Sequence, residues 1–502
     1  MNAALHSPRG TAADRSSHFD VAIVGAGPAG LAAAQSALAA GVSVCIIDSG
    51  VQPGGQFWRH RSEAAGVPDD GALHHGWAEY LELRADFDRG RASGRLTHFP
   101  GTSVWQARRL ERRFALSTTP VAGTTPEAPA QVTATSLILA TGGYDRQLPV
   151  PGWELPGVYA AGGIQSFMKQ NGSLPGARFV IAGTGPFLLP VAAGISQSGG
   201  TVAAVCEAAD LTGWLPRAHR AAAVPTKGVE GAAYVGTFLR HRIPYRRRTV
   251  ITEIIGTDRV TAVRTARVDR AGRPVPGSER VIGRVDAIGL GWGFTPQMEL
   301  PVQLGVETRV DLDGSLVAVV DAAQRSSVPG LLIAGELTGV GGATLAVLEG
   351  RIAGRVAAGS GAARVRAAST SELRAIRRHR AFAAAMHLAH PVPAGWEDLV
   401  CDDTLVCRCE EVTAGPLRHA RDELASDDSR SQKGITRAGM GWCQGRVCGF
   451  AVSCLAGGSS TPSAASLTQN AHRPVAQPLP LGALRMLADE PSPREMSAPQ
   501  AR

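Results

Sequence analysis

Residues 19–50 have the sequence FDVAIVGAGPAGLAAAQSALAAGVSVCIIDSG, and this segment indicates a fold more clearly than any other part of the chain. An apolar strand over residues 21–24 leads into a glycine turn and an alanine-rich helix. A second strand over residues 44–47 then ends at Asp48. Two parallel strands joined by a crossover helix form a βαβ unit. The segment therefore predicts an α/β protein.

The glycine turn of this unit matches the G-x-G-x-x-G spacing of dinucleotide-binding loops. The first glycine permits the tight turn, the second lets the backbone approach a pyrophosphate, and the third lets the helix pack on the strand. The helix N-terminus would face the phosphates. An acid about 20 residues further on is placed to accept the ribose hydroxyls. The expected contacts are Gly25, Gly27, Pro28, Ala29, Gly30 and Asp48.

A second segment repeats the order of strand, glycine turn, helix, strand and acid. Gly183 and Gly185 take the first two glycine positions, and Glu207 takes the acidic one. Leu188 replaces the third glycine and Pro190 falls early in the helix, so this helix is expected further from its strand. Two interpretations stay open. The unit is either a nucleotide site, in which Glu207 favours a free 2′-hydroxyl over a repelled 2′-phosphate, or a structural βαβ unit with an empty or repurposed crevice.

The composition excludes several classes of protein. Hydrophobic residues make up 44% of the chain and charged residues 19%, as in ordinary soluble proteins rather than disordered or collagen-like ones. No apolar stretch reaches the roughly 18 residues of a membrane-spanning helix. Residues 1–18 lack the apolar core of a secretory signal, so a cytoplasmic location is expected.

The formal net charge of +8 does not indicate nucleic-acid binding. Only three of the 51 basic residues are lysines, a bias typical of genomic base composition. The densest basic runs lack the interleaved aromatic rings on which nucleic-acid bases stack. No nucleic-acid partner is therefore expected.

Six of the eight cysteines cluster near the C-terminal end, and clustered cysteines in a reducing compartment suggest a metal. One residue separates Cys407 from Cys409, and four residues separate Cys443 from Cys448. Four sulfurs suit zinc and iron–sulfur clusters equally well, although C-x-C is tighter than the usual C-x2-4-C zinc spacing. An iron–sulfur cluster, a zinc ion and free thiols all stay open on spacing alone.

Four segments resemble the flavoproteins with two dinucleotide-binding domains: GAGPAG with its later acid, PGGQ at 53–56, LILATGG at 137–143 and LLIAGELTG at 331–339. The resemblance implies that the first unit binds FAD. Glu336 is one methylene longer than the aspartate usual at its position. The cysteine pair of disulfide-reducing members is missing beside Cys45 and Cys206. Further FAD contacts are implied for Gly55, Gln56, Thr141, Gly142, Gly335 and Glu336.

The cysteine segments CRCEEVT and GMGWCQGRVCG resemble the [2Fe–2S] domain of bacterioferritin-associated ferredoxin (BFD). With the closing RPVAQPLPLGAL, the whole arrangement resembles the α subunits of opine oxidases, hydrogen cyanide synthase and D-hydroxyproline dehydrogenases. It also resembles part of the sarcosine oxidase α chain. The metal ligands implied by this resemblance are Cys407, Cys409, Cys443 and Cys448.

In that family the α subunit works with a β-subunit flavoprotein that oxidises a C–N bond to an imine. The resemblance implies an FAD-dependent oxidoreductase acting on CH–NH donors of the opine, D-hydroxyproline, sarcosine or glycine type. Two further features stay open: a small ferredoxin-like subunit, and peripheral association with the inner membrane through the complex. Whether the protein binds a further cofactor also stays open, and the candidates are NAD, another adenine nucleotide, or an FMN at a subunit interface. No catalytic residue is assigned.

A flavin exchanges two electrons and a [2Fe–2S] cluster one, so a chain with both converts between two-electron and one-electron partners. Two other functions remain open: a self-contained NADH-dependent reductase, and a non-catalytic redox sensor or docking protein.

The predicted fold is a Rossmann-like FAD-binding domain interrupted by a second dinucleotide-binding-like domain, plus a small BFD-like [2Fe–2S] domain. The predicted boundaries are 1–18 for a flexible N-terminus, 19–168 and 285–361 for the FAD-binding domain, 169–284 for the inserted NAD(P)-like domain, 362–402 for a helical connector, 403–456 for the [2Fe–2S] domain and 457–502 for a C-terminal tail.

Overall fold

The structure is a computed structural model that describes residues 17–66, 71–124, 128–270, 272–359, 368–482 and 484. Its strands are β1 (Ser17–Val24), β2 (Val44–Ile47), β3 (Leu96–Phe99), β4 (Thr102–Leu110), β5 (Arg113–Pro120), β6 (Gln131–Leu139), β7 (Gly143–Asp145), β8 (Val158–Ala160), β9 (Arg178–Gly183), β10 (Thr201–Glu207), β11 (Tyr245–Arg247), β12 (Thr249–Gly256), β13 (Val260–Arg267), β14 (Arg280–Gly283), β15 (Ala287–Gly291), β16 (Phe294–Pro296), β17 (Thr308–Val310), β18 (Leu316–Ala318), β19 (Leu331–Ile333), β20 (Leu405–Cys407) and β21 (Val412–Thr413). Its α-helices are α1 (Pro28–Ala39), α2 (Trp77–Ala92), α3 (Ala161–Asn171), α4 (Leu188–Gln197), α5 (Ala218–Ala222), α6 (Pro225–Arg240), α7 (Glu299–Gln303), α8 (Ala343–Ala358), α9 (Thr370–Ala389), α10 (Ala414–Leu424), α11 (Ser429–Thr436), α12 (Gly449–Gly457) and α13 (Ala464–Ala471).

The first domain is built on a seven-stranded sheet with the order β3-β2-β1-β6-β5-β4, in which β19 also pairs with β6. Strands β1, β2, β3, β6 and β19 run parallel, whereas β4 and β5 form an antiparallel extension. Strand β19 lies far along the chain from β6. Its pairing therefore confirms the prediction of an interrupted α/β domain.

Helix α1 is held by three close backbone approaches. A Cβ atom on Gly30 would lie 1.8 Å from the carbonyl oxygen of Gly25. On the other side, Cβ atoms on two glycines of α8, Gly350 and Gly354, would each lie 2.1 Å from a carbonyl oxygen of α1. Only glycine fits at such distances, so α1 is packed tightly between β1 and α8.

The inserted domain has a parallel five-stranded sheet with the order β11-β10-β9-β15-β8. Helices α3, α4 and α6 contribute to the apolar core on one face of this sheet, and strands β12 to β14 cover the other face. The chain passes between the first domain and the inserted domain twice, at β7 and at β16. These two strands pair with each other in antiparallel orientation. Because β8 and β15 hydrogen-bond within this sheet, the inserted domain extends beyond the predicted boundaries of 169–284.

A 20-residue helix, α9, connects the dinucleotide-binding domains to the cysteine-containing domain. Ser369 and Glu372 form a capping box at its start, which satisfies backbone donors of the first turn. Further along α9, Arg380 pairs with the buried carboxylate of Glu349 at 2.5 Å. The helix is thereby fixed against α8.

The C-terminal part contains the β20–β21 hairpin and helices α10 to α13. Helix α13 lies in the segment predicted as a tail, and its Leu467 packs into the core of the first domain. The folded C-terminal part thus includes α13, beyond the predicted domain boundary at residue 456.

Most of the predicted N-terminal segment 1–18 lies outside the described residues, and its last two residues begin β1. Residues 362–367 of the predicted connector, and residues 483 and 485–502 of the predicted tail, also lie outside them. Among the described helices, none has the length and apolar character needed to cross a bilayer.

Candidate active site

A cavity of about 770 Å³ lies between the first domain, the inserted domain and the cysteine-containing domain. Its wall includes the glycine loop after β1, the ends of β2 and β6, and the loop before α8. Most predicted FAD contacts meet here although they come from distant parts of the chain. Those in the wall are Gly25, Gly27, Pro28, Ala29, Asp48, Gly55, Gln56, Thr141, Gly142, Gly335 and Glu336.

Each glycine of the first loop has the structural role that its position in the G-x-G-x-x-G spacing predicts. Gly25 has a φ of +107°, and a Cβ atom there would lie 2.4 Å from the carbonyl oxygen of Ala140. Gly27 is the N-cap of α1 with ordinary extended backbone, and a Cβ atom there would meet only the Cα of Gly55, at 3.9 Å. A side chain at Gly27 would therefore enter the cavity, at the position where a pyrophosphate needs the bare backbone. The site fits FAD.

Two acidic residues of the cavity wall hold its loops in place. Asp48 accepts hydrogen bonds from the backbone N–H groups of Ala26 at 2.7 Å and Gly50 at 2.8 Å. Glu336 accepts from Gly341 at 3.2 Å and Gly342 at 3.1 Å, just before α8. Burial raises the pKa of Asp48, and it raises the pKa of Glu336 to about 7. Both acids combine a structural role with a place beside the predicted cofactor.

The second glycine loop differs from the first in ways that its sequence indicated. Helix α4 begins only at Leu188, whereas α1 begins directly after Gly27. Glu207 is fully buried, and it accepts hydrogen bonds from Gly185 N–H at 3.0 Å and Ala209 N–H at 2.9 Å. Gly185 belongs to the cavity wall, but Gly183 and Glu207 do not.

The end of α9 covers this second loop. His390 lies with Nδ1 3.4 Å from Glu207 Oε2, and its Nε2 accepts a hydrogen bond from Trp214 Nε1 at 2.9 Å. The hydroxyl of Thr184, within the loop, donates to the carbonyl of Pro391 at 3.3 Å. Glu207 and Thr184 of the second loop therefore lie against the segment that follows α9.

The sequence patterns did not indicate several charged residues of the cavity wall. Arg59 and Asp145 are close enough to influence each other, and burial lowers the pKa of Arg59 and raises that of Asp145. Asp145 Oδ1 accepts a hydrogen bond from Gly162 N–H at 3.1 Å. Asp145 and Arg146 directly follow the LILATGG segment and its tyrosine, so adjacency to that motif was the available signal.

The four motif cysteines come from two segments that are distant along the chain, and they lie close enough to influence one another. The thiols of Cys407 and Cys448 hydrogen-bond to each other, and this bond lowers the pKa of Cys407 to about 6. Cys409 similarly interacts with Cys443. Each pair joins the β20–β21 hairpin to the later loop, so the tertiary structure brings all four sulfurs into one region.

Glycines of the later loop permit this close approach. The backbone N–H of Gly439 donates to the Cys407 sulfur at 3.5 Å. A Cβ atom on Gly441 would lie 2.2 Å from the Cβ of Cys409. The GMG sequence before Cys443 therefore places bare backbone against the cysteines of the hairpin.

Comparison with known proteins identifies the family. A family model described as pyridine nucleotide-disulphide oxidoreductase matches residues 19–360. This chain belongs to that family. It is 33% identical over 484 residues to an opine oxidase subunit of Rhizobium meliloti strain 1021, across 94% of this chain and 99% of that protein. The chain is thus an FAD-dependent oxidoreductase of the pyridine nucleotide-disulphide oxidoreductase family.

Two further comparisons extend this finding. The hydrogen cyanide synthase subunit HcnB of Pseudomonas aeruginosa is 32% identical over 440 residues, covering 85% of this chain and 90% of that protein. The crystal structure of L-proline dehydrogenase from P. horikoshii matches with a TM-score of 0.63 at 18% identity, covering 93% of this chain and 79% of that chain. The first match confirms the predicted resemblance, and the second shows a shared fold.

The two isolated cysteines of this family member lie away from the cavity wall. Cys45 is buried in β2 and Cys206 is buried in β10. Burial raises the pKa of both thiols, that of Cys206 to about 12. Neither is placed to exchange electrons with a flavin in the cavity.

Replacing Gly27 with valine is expected to abolish FAD binding while leaving the fold intact, because the new Cβ atom would enter the cavity with only an ordinary contact, 3.9 Å from the Cα of Gly55. The measurement is the flavin absorbance of the purified protein, with circular dichroism as the check on folding. The control Gly283→Val, on strand β14, places its Cβ atom where no other atom lies within 4 Å, and this protein should remain fully yellow. A fully FAD-loaded Gly27→Val protein would refute the placement.

Mixing the isolated protein with NADH is expected to reduce the flavin slowly or not at all. The helix of the second unit begins late, and the end of α9 already engages Glu207. Stopped-flow absorbance measures the rate of flavin bleaching. Bleaching at many turnovers per second would instead support the reductase function.

Proposed function

We propose that this chain is the FAD- and [2Fe–2S]-containing α subunit of a heteromeric amine or amino-acid dehydrogenase or oxidase, of the opine, D-hydroxyproline, sarcosine or glycine type. The observation that carries the proposal is that Phe450, two residues after Cys448, lines the same cavity as the predicted FAD contacts. The two named relatives above are subunits of opine oxidase and hydrogen cyanide synthase. Their names support a partner subunit here.

The resemblance of the CRCEEVT and GMGWCQGRVCG segments to the BFD domain supports a [2Fe–2S] cluster rather than a single zinc ion. A [2Fe–2S] cluster takes four cysteine thiolates, two on each iron, whereas a structural zinc site gathers four ligands around one ion. The four described thiols lie close enough to influence one another. Among the described residues, no group of three or more His, Cys, Asp or Glu side chains is arranged to hold a metal ion, so the support for a cluster is the resemblance and the proximity of the four thiols. Cys407, Cys409, Cys443 and Cys448 would hold the cluster, which would supply one-electron transfer.

FAD, when bound, would supply two-electron acceptance, and the cluster would supply one-electron transfer. The chain's own residues would bind the pyrophosphate at the start of α1 and keep the flavin between the two dinucleotide domains. We place amine oxidation in the β subunit, and we place the complex in the cytoplasm, where thiols stay reduced. An adenine nucleotide at the second loop, or an FMN at the subunit interface, would add a cofactor without changing this electron path.

The other candidate function is an NADH-dependent reductase that passes electrons to its own cluster. The presence of Gly185 in the cavity wall and the order of the second βαβ unit favour it. The contacts of Glu207 with His390 and with backbone N–H groups count against it, because the carboxylate is not presented to the cavity.

We expect anaerobically purified protein to contain two irons and two acid-labile sulfides per chain, bound by the four motif cysteines. Iron, zinc and sulfide analysis tests this directly. Cys443→Ser should lose the cluster, whereas Cys401→Ser, which changes an exposed cysteine just before the predicted [2Fe–2S] domain, should keep it. One zinc per chain without labile sulfide would overturn the assignment.

We expect the isolated chain to show no amine dehydrogenase activity, and to gain it only with a β-subunit flavoprotein. Reduction of a dye acceptor by sarcosine, D-hydroxyproline or an opine measures this. In the assembled complex, Cys443→Ser should leave substrate binding unchanged and slow electron exit to the dye, and Cys401→Ser should do neither. Full activity of the isolated chain would contradict the heteromeric proposal.

A further inference from the structure

We infer that this chain has a binding site of its own for a small zwitterion, an amino acid or an N-substituted amino acid. The site is the part of the cavity wall formed by His75, Lys227, Glu230 and Tyr234, which we call the mixed-charge cluster. The inference goes beyond the proposed function, which places amine oxidation in the β subunit. It requires neither an iron–sulfur cluster nor a partner, because all four residues belong to this chain.

Helix α6 supplies three of the four residues of the mixed-charge cluster. Lys227, Glu230 and Tyr234 are spaced three and four residues apart within this helix. Side chains at this spacing lie on one face of an α-helix. All three line the cavity, so the ionisable face of α6 is turned toward it.

The apolar side chains of α6 lie on the opposite face and are left in solvent. Val229, Val235 and Leu239 are 72%, 58% and 74% exposed, and Phe238 is the only residue of this helix that is buried. A helix at a protein surface ordinarily buries its apolar face and leaves its charged face in water. Because α6 does the reverse, apolar packing does not account for the position of its charged side chains.

The members of the mixed-charge cluster contact one another. Lys227 Nζ donates a hydrogen bond to Glu230 Oε2 at 2.6 Å. His75 Nδ1 lies 3.6 Å from Glu230 Oε1, and the other ring nitrogen of His75 hydrogen-bonds to the hydroxyl of Tyr234. The Glu230 carboxylate therefore lies between an ammonium group and an imidazole.

The surroundings of His75 and Tyr234 keep both side chains uncharged at neutral pH. Burial lowers the pKa of His75, and the positive charges of Lys227 and Lys169 lower it further, against the opposite effect of Glu230. Burial and the Glu230 carboxylate raise the pKa of Tyr234. The charged groups of this part of the wall are thus the two lysines and Glu230.

The mixed-charge cluster lies beside a loop that carries predicted FAD contacts. Lys169 of α3, which also lines the cavity, donates from Nζ to the carbonyl of Phe57 at 3.4 Å, and Phe57 directly follows Gln56. Trp58 Nε1 donates to the carbonyl of His75 at 3.1 Å. A ligand bound at the cluster is therefore expected to change the environment of a flavin in the same cavity.

The charges of the cluster define the class of ligand. Lys227 uses one of its three N–H groups on Glu230, and a carboxylate has about four lone-pair sites, so both can still bind a ligand. Lys169, Lys227 and Glu230 together carry a net charge of about +1, which favours a ligand with a carboxylate. The carboxylate of Glu230 favours an ammonium group beside it. An amino acid offers both groups a few ångströms apart.

A dinucleotide fits these charges less well. NADH has two phosphates and no cationic group, so it would leave Glu230 beside like charges, which repel. Binding of a zwitterion at the cluster makes or breaks no covalent bond. It is therefore tested as binding alone.

The test measures ligand binding to the full-length protein loaded with FAD. Sarcosine, an N-methyl amino acid, is the probe. Isothermal titration calorimetry gives its dissociation constant, and the flavin difference spectrum reports binding near the flavin. Acetate, which lacks the ammonium group, and dimethylamine, which lacks the carboxylate, should each bind about tenfold or more weakly, because each loses a charge-assisted hydrogen bond.

Two substitutions in the cluster have matched controls elsewhere in the chain. Glu230→Gln should weaken sarcosine binding about tenfold or more without weakening acetate binding, and Lys227→Met should weaken both. Glu253→Gln changes another glutamate of the inserted domain that is ion-paired, with Arg264 at 2.8 Å, and Lys433→Met changes the third lysine of the chain. Neither control residue lines the cavity, so both variants should bind sarcosine as the unchanged protein does.

Three results would overturn the inference: absence of sarcosine binding, equal affinities for sarcosine, acetate and dimethylamine, or equal weakening in Glu230→Gln and Glu253→Gln. Tight NADH binding that depends on Lys227, without sarcosine binding, would show a dinucleotide site instead. If Lys227→Met does not retain FAD, Glu230→Gln decides. Flavin bleaching by sarcosine in the isolated chain would contradict the heteromeric proposal but not the site, because the dissociation constants of the variants report binding separately.

Discussion

The close backbone packing of α1 against β1 and α8 is the constraint on which the rest of the structure depends. Gly30 brings the helix onto its strand, and Gly350 and Gly354 bring the returning helix onto α1. Side chains at these positions would hold the elements apart, and the returning strand β19 could not then pair with β6 as it does. The same contacts close the interrupted domain and point the N-terminus of α1 into the cavity.

A second set of contacts, centred on the buried side chain of Arg146, joins the domains that surround the cavity. Its guanidinium binds Asp313 in the first domain and faces the ring of Phe450 in the cysteine-containing domain. A buried charge is tolerated only when it is paired and hydrogen-bonded, so these partners must stay in place together. The flavin site and the motif cysteines are therefore held in one fixed arrangement.

The first dinucleotide unit could be predicted almost completely from its sequence, because each requirement is local. Gly25, Gly27 and Gly30 follow from the geometry of one turn, and the structure places them as expected. The second unit could not be predicted as fully. Leu188 indicated an altered helix start, but no local pattern revealed that His390, far along the chain, would lie beside Glu207.

The sequence by itself determined the α/β class, the interrupted order of domains and the set of four cysteines, since glycine spacing and thiol clustering are readable within short segments. Only the tertiary structure decided that the four cysteines come together, which acid faces the cavity, and that Phe450 of the cysteine-containing domain lines the same cavity as the predicted FAD contacts. Those outcomes depend on packing between elements distant along the chain. The physical reason is that local patterns specify backbone conformation, whereas the contacts between elements depend on how all their buried surfaces fit at once.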